Sequence, residues 1–192
     1  MSTKPSIPLV ESPLFPNLQD AQGFSAEEAR IARSLHEYGY AVFDFPDPDL
    51  ADRIGRIQCN LRPHFGVDFA DPDSDKTQGG RRIQDAWSFD ADVRAIAMNA
   101  SVQDLLGQLN GRSAFPFQTL NFPVGTQQDA HSDSVHFSNL PERFMCGVWL
   151  AMEDVAPEAG LLFYYNGSHR WPTRLRERPR LGAGPFWTAR AL

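Results

Sequence analysis

The spacing of apolar residues along this chain changes near Ala114. Before that point most of it is helical. Ser25-Ala-Glu-Glu28 is a capping box, Ile31, Leu35 and Tyr38 follow on one side, and Gly39 stops the helix. Leu50, Ile54, Ile57 and Leu61 stand at i, i+4, i+7 and i+11, one stripe on a helix from about Asp49 to Leu61. Two further helices are predicted. One follows Asp90 and carries Val93, Ile96 and Ala97; the other is capped by Ser101, carries Leu105, Leu106 and Leu109, and ends at Asn110-Gly111. Strands are predicted at residues 40–45, around 82–87, at 115–122, at His131, and along the apolar stretches 144–152 and 161–165. The Pro-rich residues 1–24 read as an extended arm on the surface, and residues 64–80 as a long loop suited to act as a lid. Helices first and strands later predict an α+β fold, an antiparallel sheet flanked by helices.

Composition narrows the class further. The 192 residues suit one domain with a sizeable core. A net charge of −6 speaks against a general nucleic-acid or membrane-surface binder. No apolar run is long enough to span a bilayer. Charge is unevenly placed: residues 170–192 carry six Arg and one Glu, +5 against −11 for the rest. The opening Met1-Ser-Thr-Lys-Pro lacks the regions of a signal peptide, so the chain is expected in the cytoplasm. Cys59 and Cys146 have no metal-type spacing and lie in apolar segments, which predicts reduced, buried thiols.

Candidate chemistry centres on His131-Ser-Asp133. At i and i+2 on an extended strand, both side chains share one face. An imidazole and a carboxylate so placed supply two thirds of the facial triad that holds non-haem Fe(II) with open positions. A bare H-x-D also occurs in many solvated turns, so context decides. Here the pair is followed by an aromatic-bearing loop, an apolar stretch containing Trp149, an acidic turn ending in Gly160, and Gly167-Ser168-His169-Arg170. That order, from about Phe15 to Pro172, resembles the phytanoyl-CoA dioxygenase family of Fe(II)/2-oxoglutarate oxygenases.

The resemblance implies a double-stranded β-helix, the cupin-like jelly roll, with an N-terminal helical layer. It implies Fe(II) held by His131 and Asp133, with 2-oxoglutarate as cosubstrate. Arg82 matches a cationic residue near 2-oxoglutarate, Gln118 a side chain lining it, and Trp149 a Trp packed against it. Each also has a plainer reading: Arg82 as partner of a surface Asp, Gln118 as a cross-strand hydrogen bonder, Trp149 as core. His136 reads as a substrate contact or as a solvated loop residue. In the family, the histidine of the Gly-Ser-His-Arg signature belongs to a structural loop rather than to the metal. Two positions depart from the family pattern, Asn166 before Gly167 and Leu161 after Gly160.

The implied activity is hydroxylation of a small organic substrate, with no nucleic acid or membrane partner and no indication of oligomeric state. The family also requires a distal His and an Arg that grips the far carboxylate of 2-oxoglutarate. The only histidines after Asp133 are His136 and His169, and the resemblance ends at Pro172. The expectation is therefore an arm (1–24), an incomplete family domain (25–172) lacking the closing strands of the jelly roll, and an unrelated tail (173–192). Feeble or absent oxygenase activity follows. The alternatives are a non-catalytic jelly-roll fragment that binds metal or a partner, and a hydrolase using His131, Asp133 and His169.

Overall fold

The computed structural model describes residues 6–71, 73, 82–125, 128, 130–133, 137, 141, 143–159 and 161–171. Three of its described helices begin where a short polar side chain closes the first turn. After α1 (Phe15–Leu18) comes α2 (Ala26–Tyr38). The capping box of α2 is complete: Ser25 N–H donates to Glu28 Oε2 at 2.7 Å, and Glu28 N–H to Ser25 Oγ at 3.2 Å. Gly39, at φ +87°, ends it. Next come α3 (Leu50–Leu61), α4 (Ala91–Ala97) and α5 (Ala100–Asn110). Asp90 caps α4, accepting from Val93 N–H at 2.8 Å. The cap of α5 is Asn99, not Ser101: its Oδ1 accepts from Val102 N–H at 3.0 Å. Both are good cap residues, and Asn99 is the one with non-helical backbone angles.

Two apolar clusters hold the helices. In one, Val10 and Phe15 pack with Ile31 and Ala32 of α2 and with Leu105 and Leu109 of α5. In the other, Ile57 and Leu61 of α3 meet Ala86 and Val93, with Ile83, Trp87 and Met152 against them. Burying each of the larger side chains, such as Phe15, Ile57 and Leu61, contributes roughly 1.5–3 kcal/mol. Arg53 ties the second cluster's rim together, reaching Asp47 and Asp92 at 2.7 Å each, and Arg56 holds Asp92 from the other side at 2.7 Å.

Several expectations are corrected. Residues 9–21 are not an extended surface arm: three short helical turns place Phe15, 1% exposed, in the first cluster. Apolar side chains among the prolines drive that burial. Tyr38 is exposed, and Ala32 takes its place on the buried face of α2. Cys59 is exposed; Cys146 is exposed as a residue, yet burial pushes its thiol above the ordinary value.

The expected sheet is reduced, among the described residues, to an antiparallel pair: β1 (Ile83–Gln84) with β2 (Leu120–Asn121), Ile83 opposite Asn121. Residues 40–45 keep a period-two burial, with Val42 and Asp44 outward, but form no ladder. Residues 144–150 form none either, and Cys146 through Trp149 are exposed in succession. A strand is defined by hydrogen bonds to a neighbour, and these stretches have no such neighbour among the described residues. His131 and Ser132 likewise lie outside any strand, and Asp133 opens a helical turn in which Phe137 N–H donates to Asp133 O at 2.9 Å.

Candidate metal centre

Although no strand carries them, His131 and Asp133 converge. His131 Nε2 lies 3.3 Å from Asp133 Oδ1, and both side chains reach solvent, 36% and 55% exposed. The second carboxylate oxygen, Oδ2, faces the backbone of Gly147. A Cβ added there would lie 4.0 Å from it. That is ordinary van der Waals contact, so Gly147 lies alongside the carboxylate on the stretch that also carries Trp149, two residues on and half exposed. The donor set, one imidazole nitrogen and one carboxylate that both reach solvent, fits a borderline divalent cation such as Fe(II) as two corners of a facial triad.

Arg82 immediately precedes β1, and Gln118 lies two residues before β2, so the short ladder flanks both without including either. Arg82 is exposed and Gln118 half-buried. The contacts that define the His131–Asp133 pair do not include either residue. Between them Asp85 adopts φ +56°, held by Thr119: Asp85 N–H donates to Thr119 O at 2.8 Å, and Thr119 N–H to Asp85 Oδ1 at 3.2 Å.

His169 lies elsewhere. Its ring packs on Gly39, where any Cβ would collide with it. Around it the Gly167–Arg170 turn closes the C-terminal end of α2, whose last carbonyls have no partner within the helix. Gly167 N–H donates to Tyr38 O at 2.9 Å and the Arg170 guanidinium to His36 O, while Arg143 donates to His169 O at 2.7 Å. Burial and the adjacent Arg170 charge hold the His169 imidazole below its ordinary value. Among the described residues no group of three or more His, Cys, Asp or Glu side chains is placed to hold a metal. His136, Gly160 and residues 172–192, including the expected tail, lie outside the described residues.

Sequence reasoning missed Tyr164. Its ring stacks on Tyr40, centroids 5.5 Å apart and planes 9° from parallel. Burial and the Asp133 charge push its hydroxyl above the ordinary phenol value, although part of the ring is in solvent. Nothing in the local pattern links residues 40, 133 and 164.

The chain belongs to the phytanoyl-CoA dioxygenase (PhyH) family, whose profile matches residues 35–188. The match begins within α2 and runs past Pro172. This family is of the Fe(II)/2-oxoglutarate oxygenase type, with a cupin-like jelly roll. No curated protein and no solved structure matches the chain. No helix among the described residues is long and apolar enough to cross a membrane.

Proposed function

We propose that these 192 residues carry part of the metal site of an Fe(II)/2-oxoglutarate-dependent dioxygenase acting on a small organic substrate. The observation that carries this reading is the approach of His131 Nε2 to Asp133 Oδ1 at 3.3 Å, both side chains reaching solvent. His131 would give a neutral nitrogen and Asp133 a negative oxygen, the charge balance suited to a divalent ion. When bound, iron with 2-oxoglutarate and O2 supplies the oxidising power for C–H hydroxylation. The protein's part is to orient the substrate and exclude water. Trp149 would wall the cosubstrate, Gln118 would line it, and Arg82 would offset its charge.

The site within these 192 residues is incomplete on this reading. His169 is committed to Gly39 and to the end of α2, which disfavours both a third-ligand role and the hydrolase alternative. Two ligands leave metal affinity and O2 alignment poorly fixed, and misplacement of about 1 Å costs orders of magnitude in rate. The non-catalytic alternative, a jelly-roll fragment that binds metal or a partner, is supported by the exposed apolar stretch Cys146–Trp149. Succinate formation from 2-oxoglutarate, with purified chain, Fe(II) and ascorbate, is expected near background. Robust turnover abolished by both His131→Ala and His169→Ala would overturn the incomplete-site reading.

A further inference from the structure

Arg143 stands where the chain leaves the loop that follows His131 and Asp133 and enters the stretch with Gly147 and Trp149. Its backbone is held at φ +74°, in the left-handed region that a residue with a side chain avoids. Such a conformation persists only where surrounding contacts fix it, and here its own guanidinium makes them. Nε lies 2.5 Å from Glu11 Oε2, and Nη2 donates to His169 O at 2.7 Å. One side chain thus joins the helical turns of residues 9–21 to the turn that closes α2. The Glu11 side chain is 18% exposed, and its Oε2 is buried without an aligned hydrogen-bond donor among the described residues. What holds it is charge. A pair of this kind adds little net stability, because desolvation offsets attraction, and is well suited to a switch.

We propose that Glu11 and Arg143 form a clasp that locks the N-terminal turns to the Gly167–Arg170 turn, and that the clasp opens when Glu11 takes up a proton. It stands whether or not His131 and Asp133 bind metal. Other titratable groups face it. His36 of α2 has Nδ1 2.7 Å from Val10 O, next to Glu11. His169 and Arg170 lie in the turn, and the Glu11 charge reaches the Cys146 thiol, three residues past Arg143. Protonating either imidazole adds charge of the same sign as Arg143 and leaves Glu11 anionic. Only a proton on Glu11 removes the attraction. Burial, against the opposing pull of Arg143, moves the Glu11 carboxyl above the ordinary 4.5. The clasp therefore opens in milder acid than a solvated glutamate would require.

The test is hydrogen–deuterium exchange of the full chain at about pH 8 and about pH 5, corrected for intrinsic rates. It is read at two sets of hydrogen-bonded amides: Glu11, Ser12 and Phe15, and then Gly167, Arg170 and Trp171. In the parent both sets are expected to exchange about tenfold faster in acid, while α3 is unchanged. Glu11→Gln should show the fast rates already at the higher pH and little further change in acid. The signature is the response of residues 167–171, which Glu11 reaches through Arg143. Arg143→Gly suits the left-handed backbone and removes the guanidinium. It should behave as Glu11→Gln does, and it carries the test if that variant does not fold. His169→Gln should keep the acid response. Parent-like exchange at residues 167–171 in both Glu11→Gln and Arg143→Gly would overturn the clasp. An acid response in Glu11→Gln equal to the parent's, or its loss in His169→Gln, would overturn Glu11 as the trigger.

Discussion

Every buried side chain among the described residues lies between Pro8 and Leu109, whereas rings beyond Asn110 such as Phe115, 77% exposed, and Phe117, 55% exposed, stand in solvent. The first region is built from elements that stabilise themselves locally: caps, i/i+4 stripes and left-handed glycine stops. The second is built from stretches whose backbone hydrogen bonds must come from elsewhere in the chain. Yet the second region holds His131, Asp133, Gly147, Trp149 and Tyr164. The scaffold and the chemistry are thus separated along the sequence. They are joined at the end of α2, where the Gly167–Arg170 turn and the Tyr40–Tyr164 stack meet it.

Core substitutions should expose this contrast most strongly. Phe15→Ala empties the centre of the first cluster and is expected to cost about 3–5 kcal/mol in urea unfolding. Phe115→Ala removes an equally large ring from solvent and should change stability by no more than about 0.5 kcal/mol. Similar losses for both would erase the distinction between the regions.

Caps give the next largest effect. Ser25→Ala and Asn99→Ala should each lower stability by about 1 kcal/mol, since each removes an acceptor from an otherwise unpaired helix N–H. Ser101→Ala lies inside α5 and should be close to neutral. A large loss at Ser101 and none at Asn99 would move the start of the helix.

The smallest effects are those of pH, and they fall in two windows. Arg53 holds the Asp47 carboxyl, and Arg56 with Arg53 the Asp92 carboxyl, below the ordinary value of 3.8. Their contribution is present above that value and is lost as pH falls through the lower folded values. The His169 imidazole, held below 6.5 mainly by burial, protonates first in the unfolded chain. Stability should therefore also decline as pH falls from 6.5 toward the folded value. His169→Gln should remove the upper decline and Asp92→Asn blunt the lower one. Thermal midpoints that stay flat across both windows would contradict these assignments.

The sequence made the helical region legible because its signals are local. Glu28 three residues after Ser25, Gly39 and Gly111 each act within one turn. Phe15 escaped because prolines on either side suggested an exposed arm, although its apolar neighbours Val10 and Leu14 were in view. The sheet escaped for a different reason: residues 144–150 carry β-type composition, but pairing depends on segments far away in sequence. The His131–Asp133 approach was anticipated from an i, i+2 spacing on a strand. It occurs at the entry to a helical turn, so the proximity held and the geometry proposed for it did not. The Tyr164 stack could not be found from sequence, because Tyr40 lies 124 residues away.

Hydrogen–deuterium exchange of the full chain, with and without Mn(II), tests most directly whether the second region binds metal on a scaffold supplied by the first. The amides of α2 and α5 should be slow to exchange in both conditions. Metal should add protection at residues 131–133 and 144–150, and little elsewhere, and His131→Ala should abolish it. Protection centred on His169 and the end of α2, or none at residues 131–133, would contradict the account.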